Sequence, residues 1–266
     1  MTKSQPNTLA TVADLGFQTC KLRPTRPWRE IGYALLILFS SVLLGSLIWF
    51  ATNIVLWKLQ GWPTKTLNPT FLLLLASVPT GLICTWMVVA RARYLGAVHL
   101  AESLAMVPMK RSSLFAFSIA MQVGATIFYV VLIMFRSGYS HSIQNGLNHN
   151  LVAATGAGPI LLLIYLINLV ILQPVMEELF FRGWLWTELS RAWDVQSTAV
   201  CTGLFWWVLH LGYYGVHGAP YILFNAIVIS LVRHHTRSVI ASIIIHILNN
   251  VRISVLTLVA LSYGSV

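Results

Sequence analysis

Residues 31–57, "IGYALLILFSSVLLGSLIWFATNIVLW", contain no charged side chain. Crossing the hydrocarbon core of a bilayer takes roughly 20 consecutive apolar residues in helical conformation, and this run meets that length with turns to spare. Similar runs recur along the chain. Only 9% of its residues are charged and 57% are hydrophobic, whereas soluble domains carry about 25% charged residues. A water-soluble globule is excluded. The predicted fold class is all-α, a polytopic transmembrane helical bundle.

About seven spans are predicted, over 31–57, 70–90, 114–135, 158–186, 196–213, 219–232 and 238–263. With the N-terminus inside, the tail and inner loops hold twelve Lys and Arg residues and the outer loops only three, Lys58, Lys65 and Arg136. Positive charge marks the cytoplasmic side, so the N-terminus is predicted to be cytoplasmic. The basic tail over 1–30 has no short apolar core followed by a small-residue cleavage site, so no cleaved signal peptide is expected. Trp28 is expected at the interface. Segment 94–111 is mixed, either extending the second helix or lying along the interface. The loop 136–157 is expected to stay loose or form a small outer cap.

The net charge of +10 is spread over the tail and short connectors. No long basic stripe is interleaved with aromatics, as nucleic-acid binding would require. The expected partner is the lipid bilayer and its anionic headgroups, with no nucleic acid. Cys20, Cys84 and Cys201 are widely spaced with no CxxC pair, so no disulfide framework or thiolate zinc site is expected.

Ionisable groups at bilayer depth are costly and usually face the bundle interior with a partner. Here they are Glu177, Glu178 and Arg182 in the fourth span, His210 in the fifth, and His246 and Arg252 in the seventh, with Asn249 and Asn250 beside them. Glu178 and Arg182 are four apart with the acid N-terminal, the favourable order for a helical ion pair. Glu177 is turned by about 100° from Glu178, so one carboxylate is braced and the other left free. Pro174 removes a backbone hydrogen bond just upstream. His246 and Asn250 share a face. On the predicted topology Glu177 and His246 lie in the inner half and His210 nearer the middle, which suggests one cytoplasm-facing cavity. A free glutamate, two histidines, an asparagine and an arginine-braced carboxylate suit hydrolysis. Carboxylates and histidines serve as general bases, and side-chain donors stabilise an oxyanion.

"EELFFR" resembles the EExxxR motif of the CPBP family, the CAAX-protease and bacteriocin-processing intramembrane proteins. "HILNN" is similar to that family's HxxxN motif, through His246 and Asn250. His210 matches the histidine of its FxxxH motif, but the aromatic position holds Trp206 and Phe205 is one residue out of register. That exchange is expected to alter packing and leave the chemistry in place. The motifs appear in family order within about 170–255. The resemblance implies a glutamic-type intramembrane endopeptidase without a cofactor, in which Glu177 activates water with His210. His246 and Asn250 would then form the oxyanion hole, and Glu178 and Arg182 would orient the site. It divides the chain into a tail (1–30), N-terminal transmembrane helices (31–157) and a CPBP-like catalytic core (158–266). The implied partner is a membrane-associated protein or peptide substrate, and type II CAAX endopeptidases of this family cleave prenylated CAAX proteins. The expected location is the plasma membrane of a prokaryote, with the site toward the cytoplasm.

Other readings of these residues stay open at this level. The EER cluster could snorkel to water, and His246 with Asn250 could be interhelical hydrogen-bonding glue. Glu177, Glu178, His210 and His246 are acceptable zinc ligands, though the HExxH spacing is absent. A bis-histidine haem site through His210 and His246, an immunity protein, a transporter and a scaffold are the non-hydrolytic alternatives. Arg252 is read as structural, and His234 and His235 as facing solvent or headgroups.

Overall fold

The computed structural model describes residues 26–60, 69–96, 100–108, 116–127, 149–156 and 158–262, and every regular element among them is a helix. They are α1 (Pro27–Gln60), α2 (Pro69–Tyr94), α3 (Leu100–Ser103), α4 (Ala116–Ile127), α5 (His149–Gly156), α6 (Pro159–Leu189), α7 (Val195–Thr236) and α8 (Val239–Ser262). Proline is the first residue of α1, α2 and α6, where its missing N–H costs nothing and its fixed φ suits the helix. Asp194 caps α7 by accepting from the Ser197 backbone N–H at 2.9 Å.

Among the described residues, three helices are long and apolar enough to cross a membrane: Pro27–Thr52, Pro159–Leu189 and Val239–Val259. Exposure is inverted relative to a soluble protein. Phe39 is 69% exposed, Trp86 68% and Ile160 74%, while Glu178 and Arg182 are fully buried. Apolar side chains face outward because lipid solvates them, and polar ones turn inward because lipid cannot. The chain is an integral membrane protein.

Helical conformation is continuous through α7, with Pro220 inside it, yet its two halves lie side by side. The Trp207 indole N–H donates to the Ala219 carbonyl at 2.8 Å, although twelve residues of straight helix span about 18 Å. A Cβ added at Gly203 would meet Ser230 Oγ at 3.3 Å and Ala226 O at 3.8 Å. The expected fifth and sixth spans are therefore antiparallel limbs of one helical hairpin, and the connector expected between them is itself helical.

Of segment 94–111 the described residues are 94–96 and 100–108, and α2 does not extend through them. α2 stops at Tyr94, α3 is a single turn, and the strand of chain after it docks on the start of α8. There the Val239 N–H donates to Ala105 O at 2.9 Å, and the Ser238 hydroxyl donates to Val107 O. The loop expected over 136–157 contains α5, because Leu151 and Ala154, one turn apart, are both buried. The rest of that loop, the end of the third predicted span, the tail before Arg26 and the residues after Ser262 lie outside the described residues. Trp28 is exposed, with its ring edge-on to Trp193 at 5.4 Å. On α1 and α2, Glu30 and Arg91 form a two-bond ion pair at 2.6 and 3.3 Å, with the guanidinium 3.8 Å over the Tyr33 ring.

Candidate active site

The two glutamates sit on a short α-helical piece of α6, Gln173–Glu178, held between two π-helical segments, Asn168–Leu172 and Leu179–Leu185. A π turn inserts an extra residue and leaves one carbonyl without its usual donor; such turns recur at functional sites. At the first exit the Gln173 N–H reaches back five residues to Asn168 O, skipping Leu169. The residue next in line is Pro174, which has no N–H to offer. The Leu169 carbonyl is supplied instead from α8, by the Asn250 side-chain amide at 2.9 Å. At the second exit the Trp186 N–H is shared between Gly183 O and Phe181 O, skipping Arg182. The Arg182 carbonyl accepts from Arg233 Nε at 2.9 Å. Each bulge is thus closed by a side chain from another helix, which fixes α6 against α7 and α8.

Glu178 and Arg182 pair as their spacing predicts, at 3.1 Å and with no exposure of either side chain. The same Glu178 Oε1 also meets His246 Nδ1 at 2.9 Å. Glu178 therefore links an arginine on its own helix to a histidine on α8. Glu178 Oε2 and Arg182 Nε and Nη2 are buried without hydrogen-bond partners among the described residues.

Glu177 points elsewhere. Its Oε1 accepts from Gln173 Nε2 at 3.0 Å and its Oε2 from Trp206 Nε1 at 2.7 Å. His210 Nε2 lies 3.6 Å from the same Oε2, while His210 Nδ1 is 2.8 Å from Trp206 O. The carbonyl can only accept, so Nδ1 carries a proton, and when His210 is neutral the nitrogen it turns toward the carboxylate is the unprotonated Nε2. Two acceptors then face one another across 3.6 Å. Glu177 also lines a cavity of about 230 Å³ walled by Ser41 of α1, Gly81 and Cys84 of α2, and Asn168, Gln173 and Phe181 of α6.

The structure brings Glu177 to His210 and Glu178 to Arg182 and His246. It commits one N–H of Asn250 to the Leu169 carbonyl, leaving the other. Among the described residues no group of three or more His, Cys, Asp or Glu is arranged to hold a metal ion; the two glutamates serve different partners. Sequence reasoning missed Gln173 and the Trp206 indole N–H. Gln173 is four residues before Glu177, a signal that was available; the reach of Trp206 between helices was not. Arg252, read as structural, bonds Tyr221 OH at 2.6 Å, Asn249 Oδ1 at 3.0 Å and Thr126 Oγ1 at 3.4 Å.

Residues 159–252 match the family described as type II CAAX prenyl endopeptidase Rce1-like. This is the CAAX-protease family that the three motifs resemble, and the matched segment holds Glu177, Glu178, Arg182, His210, His246 and Asn250. No curated protein and no solved structure matches the chain.

Proposed function

We propose that the chain is a CAAX-type intramembrane endopeptidase in which Glu177 and His210 activate the water that attacks the peptide bond. The observation that carries this reading is the 3.6 Å approach of His210 Nε2 to Glu177 Oε2 with His210 Nδ1 tied to a carbonyl. A water held there gives one O–H to each acceptor and keeps its lone pair for the substrate carbonyl. As the oxygen adds to that carbon, Glu177 takes the proton. When the C–N bond breaks, the proton passes to the leaving amine.

His246 and Asn250 stabilise the oxyanion in this scheme. Against an ionised Glu178, His246 donates through Nδ1, so offering a hydrogen bond to the oxyanion requires a proton on Nε2 as well. His246 therefore works as an imidazolium, with Glu178 as its counterion and Arg182 balancing Glu178. Asn250 contributes the N–H that Leu169 does not use. The cavity beside Glu177 takes the part of the substrate next to the scissile bond, with walls from α1 and α2 that lie outside the matched segment.

The substrate is a membrane-associated protein or peptide, of the prenylated CAAX class that the family description names. The topology has about seven spans, with the N-terminus and the site toward the cytoplasm, in the plasma membrane of a prokaryote. In nanodiscs, the wild type should cleave a fluorescence-quenched farnesylated CAAX peptide, and Glu177→Gln and His210→Ala should each nearly abolish cleavage. Full activity in either variant removes the assignment.

A further inference from the structure

We propose that Trp206 and Gln173 form a two-donor clamp that fixes the orientation of the Glu177 carboxylate, making both positioning residues for the reaction. The inference rests on Glu177 being the water-activating base. Each oxygen of Glu177 accepts from one neutral donor: Oε1 from Gln173 Nε2 at 3.0 Å, Oε2 from Trp206 Nε1 at 2.7 Å. Neutral donors hold a carboxylate in place without supplying a cation to cancel its charge. Glu178 shows the contrast, since its Oε1 is held by a guanidinium at 3.1 Å.

Trp206 is built to be immobile. It is 3% exposed, its ring lies 4.0 Å from the His210 ring and edge-on to His246 at 5.7 Å, and the Arg182 guanidinium is 5.4 Å from its centroid. Its backbone carbonyl holds His210 Nδ1 at 2.8 Å. One residue thus orients both members of the water-activating pair: the histidine through its carbonyl and the glutamate through its indole N–H. The FxxxH motif has phenylalanine here, which can keep the carbonyl contact and the ring stacking but has no N–H. In this chain the exchange adds a charge-assisted hydrogen bond to the base, a contact stronger than a neutral pair gives. The aromatic position is chemical as well as steric.

The test uses the full chain in nanodiscs with the quenched farnesylated CAAX peptide and a spectroscopic readout that does not depend on cleavage. Trp206→Phe should lower kcat by about 10- to 100-fold, the range for losing a hydrogen bond to a charged group. KM should stay unchanged, because Trp206 is buried. Gln173→Leu should lower kcat by a smaller factor, and it remains informative if Trp206→Phe fails to fold. In protein labelled with ¹³C-carboxyl glutamate, the infrared difference between wild type and Glu177→Gln isolates the Glu177 carboxylate band. That band should move in both clamp variants, which a packing role for Trp206 would not produce. A wild-type kcat or an unmoved band overturns the clamp. If the wild type does not cleave the peptide, the proposed substrate fails and the band alone decides the clamp.

Discussion

Burying Glu178 beside Arg182 with no exposure of either makes each charge depend on the other. Taking one partner from a buried pair strands a charge, at about 3–5 kcal/mol. Glu178→Leu, which removes the carboxylate that Arg182 contacts, should therefore lower stability by about that amount, read as a shift in the unfolding midpoint in detergent. The double variant Glu178→Leu/Arg182→Met should recover much of the loss, since no guanidinium then lies buried without a carboxylate and His246, unlike arginine, can shed its proton. Removing His246 strands no such charge, because Glu178 keeps Arg182. His246→Ala should accordingly cut kcat by about 10²- to 10³-fold, the usual effect of an oxyanion donor, with little change in the midpoint. These residues were legible in the sequence because polar groups at bilayer depth stand out and four-residue spacing puts Glu178 against Arg182. The bond between Glu178 and His246 was not legible, since it joins residues 68 apart in the chain and depends on how α6 meets α8. The reading of Trp206 as packing overlooked its N–H for the same reason.

At the scale of the element, α6 is shaped by two π segments that no periodicity in the sequence announces. Pro174 was visible and correctly marked a missing hydrogen bond, but its consequence is that the Leu169 carbonyl must be supplied by Asn250. Asn250→Leu should cost about 1–3 kcal/mol, the penalty for a buried acceptor left unpaired. In a Pro174→Ala background the new N–H at 174 can serve Leu169, so the same replacement should cost less. A double-mutant cycle on unfolding midpoints reads that coupling; equal costs in the two backgrounds would remove the carbonyl's role. The two limbs of α7 were legible as separate apolar segments, because they flank a glycine-rich stretch. Its continuous helical conformation through the turn was not, since glycine and Pro220 argue for a loop.

Across the whole molecule, apolar surface outward and polar residues inward follow directly from composition, and the membrane class was legible from the first run of uncharged residues. The part played by the N-terminal helices was not, because α1 and α2 hold no motif; they matter through the cavity wall they build against Glu177. Gly81 packs on the Met176 thioether, so Gly81→Val should push Met176 into that cavity. The expected result is a rise in KM larger than any fall in kcat, measured with the farnesylated reporter; an unchanged KM would mean that the substrate lies elsewhere. The central claim is that Glu177 activates water to cut a membrane-associated protein or peptide. Quantitative profiling of protein termini, in membranes from cells expressing wild type or Glu177→Gln at equal levels, tests it without presupposing the substrate. New termini that appear with the wild type and vanish with Glu177→Gln are predicted; identical termini in the two would contradict it.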